Sequence, residues 1–409
     1  MSEQKQIFVG WLIDGTGAPV QKKVLVTVEK GIIRSLTSHY TGSLSDSCTD
    51  LGFATIVPPF IDCHVHLAMS GGVAEEIRSS QLQAECADLK SVISRHLGYL
   101  FSHGVLAVRD GGDRGACVRE FRKTYEGPVA VYTPGPAWYR DGRYGRLIGR
   151  AVTEKEELAQ SFAEIDWDFD HVKLVNSGLN SLTDYGKTTR PQFDRGEIGK
   201  LVSLSGRDGK KVMVHANGVE PVREAIEGGC HSIEHGFFMG RDNLERMAAK
   251  GVVWVPTAVT MKMYAEVRKL QGDKDGAEIA HRNLMHQLEQ ISMAVELGVE
   301  VGLGSDSGSS GVLHGESLVD EMKLLIKGGL SLAGSIRSAT LVGARLLGIE
   351  NWGTIEVGKR ADFLVARGGP GQLPRKFSYL EDIYTSGVPD NRYRKNPFKH
   401  TGETAVQPI

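Results

Sequence analysis

Between residue 57 and about residue 350, short apolar runs alternate with longer amphipathic stretches, eight times over. The runs are Ile56–His66, Val105–Arg109, Val129–Tyr132, Val172–Val175, Val212–His215, Ser232–His235, Val252–Val255 and Val301–Gly304. They read as strands. Val222–Gly228, Asn243–Lys250 and Glu278–Leu297 carry helical spacing between them. Eightfold alternation predicts parallel βα units closing into a distorted (β/α)8 TIM barrel, an α/β fold. An open doubly wound sheet is the alternative, but no Gly-x-Gly-x-x-Gly follows a strand to mark a dinucleotide site. Residues 7–56 are all-β in pattern, with Ile7–Gly10 and Lys23–Val28 as short strands. Ser331–Ile349 reads as a last helix, and 353–365 returns to strands and turns. The expectation is a small composite β-sandwich from 1–56 and 353–409, beside the barrel at 57–352. The basic stretch Arg392–His400 reads as a solvated tail.

With 41% hydrophobic and 24% charged residues, the composition is that of a globular protein. A net charge of −2 gives no case for nucleic acid, and no apolar run is long enough to span a bilayer. The first residues lack the apolar core of a secretory signal. Five widely spaced cysteines without a Cys-x-x-Cys pair read as reduced thiols in a cytoplasmic protein. Cys63 reads as a packing residue.

Side chains two apart on a strand share a face, so Asp62, His64 and His66 point one way and Cys63 and Val65 the other. Two neutral imidazoles on one face can form half of a metal site, the alternative being a pair of core or surface histidines. Barrel active sites lie at the carboxyl ends of the strands, and metal-capable residues gather there. His64 and His66 end the first strand, His215 the fifth and His235 the sixth; Lys173 lies on the fourth and Asp306 follows the eighth. A buried ammonium at Lys173 needs a partner, and with an ordinary pKa of about 10.4 it is a poor ligand. Carbamylation by CO2 would make it an anionic ligand; an ion pair with Asp306 is the alternative. Asp306 can ligate metal and take a proton from water, or cap the next helix. Gly302, Gly304 and Gly308 are expected to leave space beside it. Glu234, of opposite parity to His235, is not expected to be a ligand.

Ile61-Asp-Cys-His-Val-His, Val172-Lys-Leu-Val-Asn-Ser-Gly, Val214-His-Ala-Asn-Gly, Ser232-Ile-Glu-His-Gly, Gly304-Ser-Asp-Ser-Gly and Gly353-Thr-Ile-Glu-Val-Gly-Lys-Arg-Ala-Asp together resemble the amidohydrolase superfamily, in its imidazolonepropionase-like and prolidase-like group. The resemblance runs from about Ile7 to Val365. It implies two divalent ions, usually zinc, bridged by hydroxide and a carboxylated lysine. His64, His66 and Asp306 would hold one ion, His215 and His235 the other, and carboxylated Lys173 would bridge them. It implies cleavage of a C–N amide bond in a dipeptide, an N-acyl amino acid or a related small amide, with Asp306 shuttling the proton. The implied partner is a small molecule, with a homo-oligomer compatible. Deaminases of the superfamily generally lack the strand-four lysine and carry a glutamate three residues after the strand-five histidine, where this chain has Gly218. A mononuclear deaminase or cyclic-amide hydrolase, and a non-catalytic protein on the same fold, are the competing readings.

Two departures bear on the substrate. Relatives often read His-Ala-Tyr-Gly at strand five, where this chain has Asn217. They often carry Gly-Gly-His after strand three, where this chain has Thr133–Leu147, with no histidine but several aromatics and arginines. Asn217, Tyr139 and Arg143 are therefore expected substrate contacts, and so is His314, just past the eighth strand, whose alternative is hydrogen bonding at a helix start.

Overall fold

The computed structural model describes residues 4–165 and 168–395. Four strands open the chain: β1 (Gln4–Leu12), β2 (Gln21–Glu29), β3 (Ile32–Thr37) and β4 (Thr49–Val57). The next strand is β5 (Phe60–Val65). The expected strand Ile56–His66 is thus two strands, in different sheets. Pro58 and Pro59 divide it, since proline offers no N–H to a ladder and fixes φ.

β5, β6 (Val105–Asp110) and β7 (Ala130–Tyr132) form a parallel three-stranded sheet. A second parallel sheet holds β8 (Ala137–Arg140), β9 (Gly149–Val152), β10 (His171–Val175), β11 (Lys211–Ala216), β12 (Ser232–His235) and β13 (Val253–Val255), in the order β13-β12-β11-β10-β8-β9. Crossover helices pack apolar faces against these strands; Val219–Glu227, for example, buries Val222, Ala225 and Ile226. The helix Arg195–Gly206 starts at Asp194, whose carboxylate accepts from Gly196 and Glu197 N–H in a capping box completed by Glu197.

The expected eighth strand, Val301–Gly304, is not a regular strand. Its neighbourhood makes isolated parallel bridges, Val301 to Trp254 and Ser307 to Val65. Gly302 N–H donates to Trp254 O (2.8 Å), Cys63 N–H to Leu303 O (2.9 Å) and Asp306 N–H to His64 O (2.7 Å). Residues 300–307 thereby stitch β13 to β5. On the far side Asp170 N–H donates to Thr133 O (3.0 Å), without a ladder between β7 and β10. The result is a TIM-barrel-like α/β fold whose strands lie in two sheets rather than one closed ring.

The expected helix Ser331–Ile349 is two helices, Leu332–Ser338 and Leu341–Leu347. The break falls at Ala339 and Thr340, where Ala339 O accepts from Ile61 N–H and Thr340 leaves helical geometry. The chain then returns through β14 (Phe363–Arg367), β15 (Asp382–Thr385) and β16 (Val388–Pro389). β14 pairs antiparallel with β4, Leu364 opposite Val57, so both ends of the chain share one seven-stranded sheet. That sheet curls: Ile32 at its far edge bridges to Arg360, just ahead of β14. Ile7, Val9, Val26, Ile56, Phe363 and Val365 fill the curl. The two-sheet sandwich expected from the sequence is thus one continuous curled sheet. The tail Arg392–His400 lies partly outside the described residues.

Cys86 and Cys117 form a disulfide, with Cα atoms 4.9 Å apart. This corrects the expectation of five reduced thiols. The helices Cys86–Ser102 and Cys117–Arg122 begin side by side, an adjacency that a sequence separation of 31 conceals. Cys48, Cys63 and Cys230 are free, and Cys63 packs in an apolar cluster with Ile61 and Val255. Among the described residues no helix is long and apolar enough to cross a membrane.

Candidate metal centre and active site

β5 delivers His64 and His66 to one buried point, where their Nε2 atoms lie 3.5 and 3.4 Å from Asp306 Oδ1. Each of these three residues offers a ligand atom within 4.8 Å of the others. The His235 ring centre is 4.9 Å from that of His64, and the His215 ring is 4.5 Å from that of His235. Lys173 Nζ approaches His64 Nε2 at 3.5 Å. All six residues expected to form the metal centre therefore converge on one place.

Strand alternation alone does not bring them there. His235, Thr257 and Asp306 have φ of 69°, 48° and 56°. Non-glycine residues rarely adopt this left-handed region, and doing so costs on the order of 1–3 kcal/mol each. The left-handed turn at the end of β12 carries the His235 side chain to the centre. Ser232 and Glu234, of the other parity, also face inward. The glycines near Asp306 do not clear space for a ligand as expected. A Cβ on Gly304 would lie 2.8 Å from His64 Cβ and 2.5 Å from Val255 Cγ1, and one on Gly308 would lie 2.7 Å from His66 O. They let the 302–308 segment press against the histidine strand.

Each imidazole is tethered through one nitrogen, leaving the other for a ligand role. His64 Nδ1 meets Glu234 Oε2 (2.9 Å), and His66 Nδ1 meets Gly112 O (3.2 Å). His215 Nε2 meets Gly178 O (3.2 Å), and His235 Nδ1 meets Thr257 Oγ1 (2.7 Å). Such outer contacts fix tautomer and ring orientation in metal sites. Glu234 also accepts from Arg109 Nη2 (2.7 Å) and Ser232 Oγ (2.6 Å). It anchors a ligand from beneath, a role that its parity relative to His235 did not reveal.

Burial, reinforced by the Lys173 charge, pushes His66 and His215 down to about 3, and His64 and His235 are also held well below the ordinary range. All four imidazoles are neutral at neutral pH, with lone pairs free to bind a cation. Burial pushes Lys173 down and Asp306 up. Among the described residues no carboxylate lies within ion-pairing distance of Lys173, so the Lys173–Asp306 ion pair is not formed. Neutral imidazoles converging on the Asp306 carboxylate are a donor set that fits a divalent metal ion.

The six residues open onto a cavity of about 520 Å³. Asn217 lines it, its Oδ1 accepting from Phe237 N–H (3.0 Å) and its Nδ2 donating to Gly178 O (3.3 Å). The other three expected substrate contacts are placed elsewhere. His314 is fully buried, stacked on His96 at 4.0 Å, with Nε2 3.3 Å from His66 O. Tyr139 packs beneath Gly145 and Gly149, and Arg143 donates to Arg190 O (2.7 Å) at the surface. The segment between β8 and β9 meets the cavity instead through Tyr144, Leu147 and Ile148, and the Tyr144 ring lies 5.3 Å from that of His215. Tyr264 and Arg78 also line the cavity. Neither carries a sequence signal, because both sit on helices with no motif around them.

The amidohydrolase family matches residues 55–394. The chain belongs to this family, and it is a hydrolase acting on carbon–nitrogen bonds. Ochratoxinase from Aspergillus niger is 21% identical over 367 residues, spanning 82% of this chain and 74% of that protein. Its crystal structure superposes with a TM-score of 0.77 at 18% identity, over 95% of each chain. A Xaa-Pro dipeptidase with bound methionine in the active site superposes with a TM-score of 0.80 at 24% identity, over 95% of this chain and all of that one. At these identities the superpositions establish a shared fold.

Proposed function

We propose that this chain hydrolyses the amide bond of a small molecule, such as a dipeptide or an N-acyl amino acid, at a centre of two zinc ions. The observation that carries this reading is the convergence of four neutral, individually tethered histidines with Asp306 and an ion-pair-free buried Lys173. His64, His66 and Asp306 would hold one ion, and His215 and His235 the second. Lys173 would bridge them as a carbamate. Burial moves this side chain toward the neutral amine, which adds CO2 and releases a proton. When bound, the ions supply Lewis acidity toward water and toward the substrate carbonyl.

The chain's own groups do the rest. Asp306, fixed by Ser309 Oγ donating to its Oδ2 (2.9 Å), accepts the proton of the attacking water and returns it to the leaving nitrogen. Tyr144 and Asn217 wall the reacting carbonyl on the His215 side. Met69, Leu147, Ile148 and Phe237 hold the apolar part of the substrate and exclude water. The fold shared with a Xaa-Pro dipeptidase, an enzyme of a peptide amide bond, supports an amide substrate. Removal of metal by a chelator should abolish hydrolysis across a panel of dipeptides, N-acyl amino acids and aryl amides, and added zinc should restore it. Turnover that survives complete metal removal would refute the reading.

A further inference from the structure

The cavity wall carries one cation whose charge nothing in the proposed chemistry uses. Arg78 lies on the helix Glu75–Gln83, which follows the histidine strand and lines the cavity through Glu75 and Arg78. Its Nη1 donates to Ser70 O and to Gly308 O, the latter at 2.8 Å. Both acceptors are neutral carbonyls. Among the described residues no carboxylate lies within ion-pairing distance of the guanidinium. Glu75, three residues earlier on the same helix, is exposed and does not reach it. Its Nη2 and Nε donate to no protein group among the described residues. Arg268, the other arginine of the wall, is already paired with Asp273 at 3.1 Å.

A part-buried guanidinium held by one nitrogen, with its remaining donors unused, is prepared for a planar anion. Arginine pairs bidentately with carboxylates, which is the geometry left open here. Its position points to the amine end of the substrate. Arg78 is clamped on Gly308 O, in the segment that carries Asp306 and beside it in the cavity lining, and Asp306 is the group proposed to return a proton to the leaving nitrogen. In an amide made from an α-amino acid, the carboxylate carbon is two covalent bonds from that nitrogen.

We infer that Arg78 is the specificity-determining cation of this cavity, taking a carboxylate carried by the amine half of the scissile amide. The inference rests on the amide-hydrolase reading and narrows it to N-acyl amino acids and peptides with a free terminal carboxylate. Apolar side chains suit the Met69, Leu147 and Met261 wall.

The test is equilibrium binding to the zinc-loaded protein of two hydrolysis-resistant probes, N-methanesulfonyl-L-phenylalanine and its C-terminal amide. Wild type should bind the acid on the order of 10- to 100-fold more tightly, as a charge-assisted pair requires. Arg78→Met should bring the two affinities together. Arg78→Gln keeps a donor for the Ser70 and Gly308 carbonyls while removing the charge, and should do the same. Arg78→Lys should restore part of the preference. A purely structural role would weaken both probes alike. Equal wild-type affinities, no binding of either probe, or an acid preference that survives both neutral variants would overturn the inference. Hydrolysis assays report separately. Turnover of amides without a preference for carboxylates would sink the Arg78 role alone. An Arg78-dependent preference without turnover would sink the hydrolase reading alone.

Discussion

Asp306 and Glu234 make opposite uses of a buried carboxylate. Asp306 faces the cavity, where its proton can exchange with water and substrate. Glu234 is sealed beneath His64, with Arg109 and Ser232 satisfying its remaining lone pairs. Asp306→Asn should therefore lower turnover by about 10²- to 10⁴-fold while leaving the metal content near that of wild type. Near-normal turnover in steady-state assays would refute the proton-shuttle role. Glu234→Gln should instead weaken metal affinity about 10- to 100-fold, read by competition with a chelator, because His64 loses its orienting partner. Unchanged affinity would reduce Glu234 to packing. His64, His66, His215, His235, Lys173 and Asp306 were legible in the sequence because imidazoles, an amine and a carboxylate at strand ends are costly without a shared purpose. Glu234 was not, because parity counting assumes extended backbone and His235 is left-handed. The turn of Tyr139 and Arg143 away from the cavity was not legible either, because composition marks a loop without saying which of its side chains turn inward. His314, expected from its place just past the eighth strand, is held in the core against His96.

The 300–307 segment shows how an element can be incomplete and still indispensable. It makes bridges in place of a ladder, yet it joins β13 to β5 and ends on Asp306. Its glycines are set by contact with the histidine strand. Gly304→Ala places a methyl 2.5 Å from Val255 Cγ1 and 3.0 Å from His64 N, where the backbone cannot yield. The substitution should destabilise the fold by about 1–3 kcal/mol in chemical denaturation and lower metal content as well. A variant with wild-type stability and metal content would show that the close approach is not needed. Alternation of apolar strands with helices was legible in most of the barrel-like region, but not β8 and β9, which follow β7 in and just beyond the stretch Thr133–Leu147 that reads as a loop. The break in the last helix was not, since it depends on Ile61 N–H capturing Ala339 O from far along the chain.

β4 and β14, which lie on either side of the barrel-like region in sequence, pair in one sheet. The sequence showed β character at both ends, and the β4–β14 register confirms the pairing. It did not show the curl into one sheet, nor the Cys86–Cys117 crosslink just after the cavity-lining helix Glu75–Gln83. Protein made under oxidising conditions should titrate in three stages with a thiol reagent. Cys48 should react in the native state. Cys63, pushed up to about 12 by burial, and the buried Cys230 should react only on unfolding, and Cys86 and Cys117 only after reduction. Five reactive thiols in unfolded, unreduced protein would contradict the crosslink. The central claim is that six residues from five separate segments form one two-ion centre. Elemental analysis of protein from zinc-supplemented expression tests it most directly. About two zinc ions per chain are predicted. One ion per chain would contradict the bridging role of Lys173 and return the site to a mononuclear hydrolase.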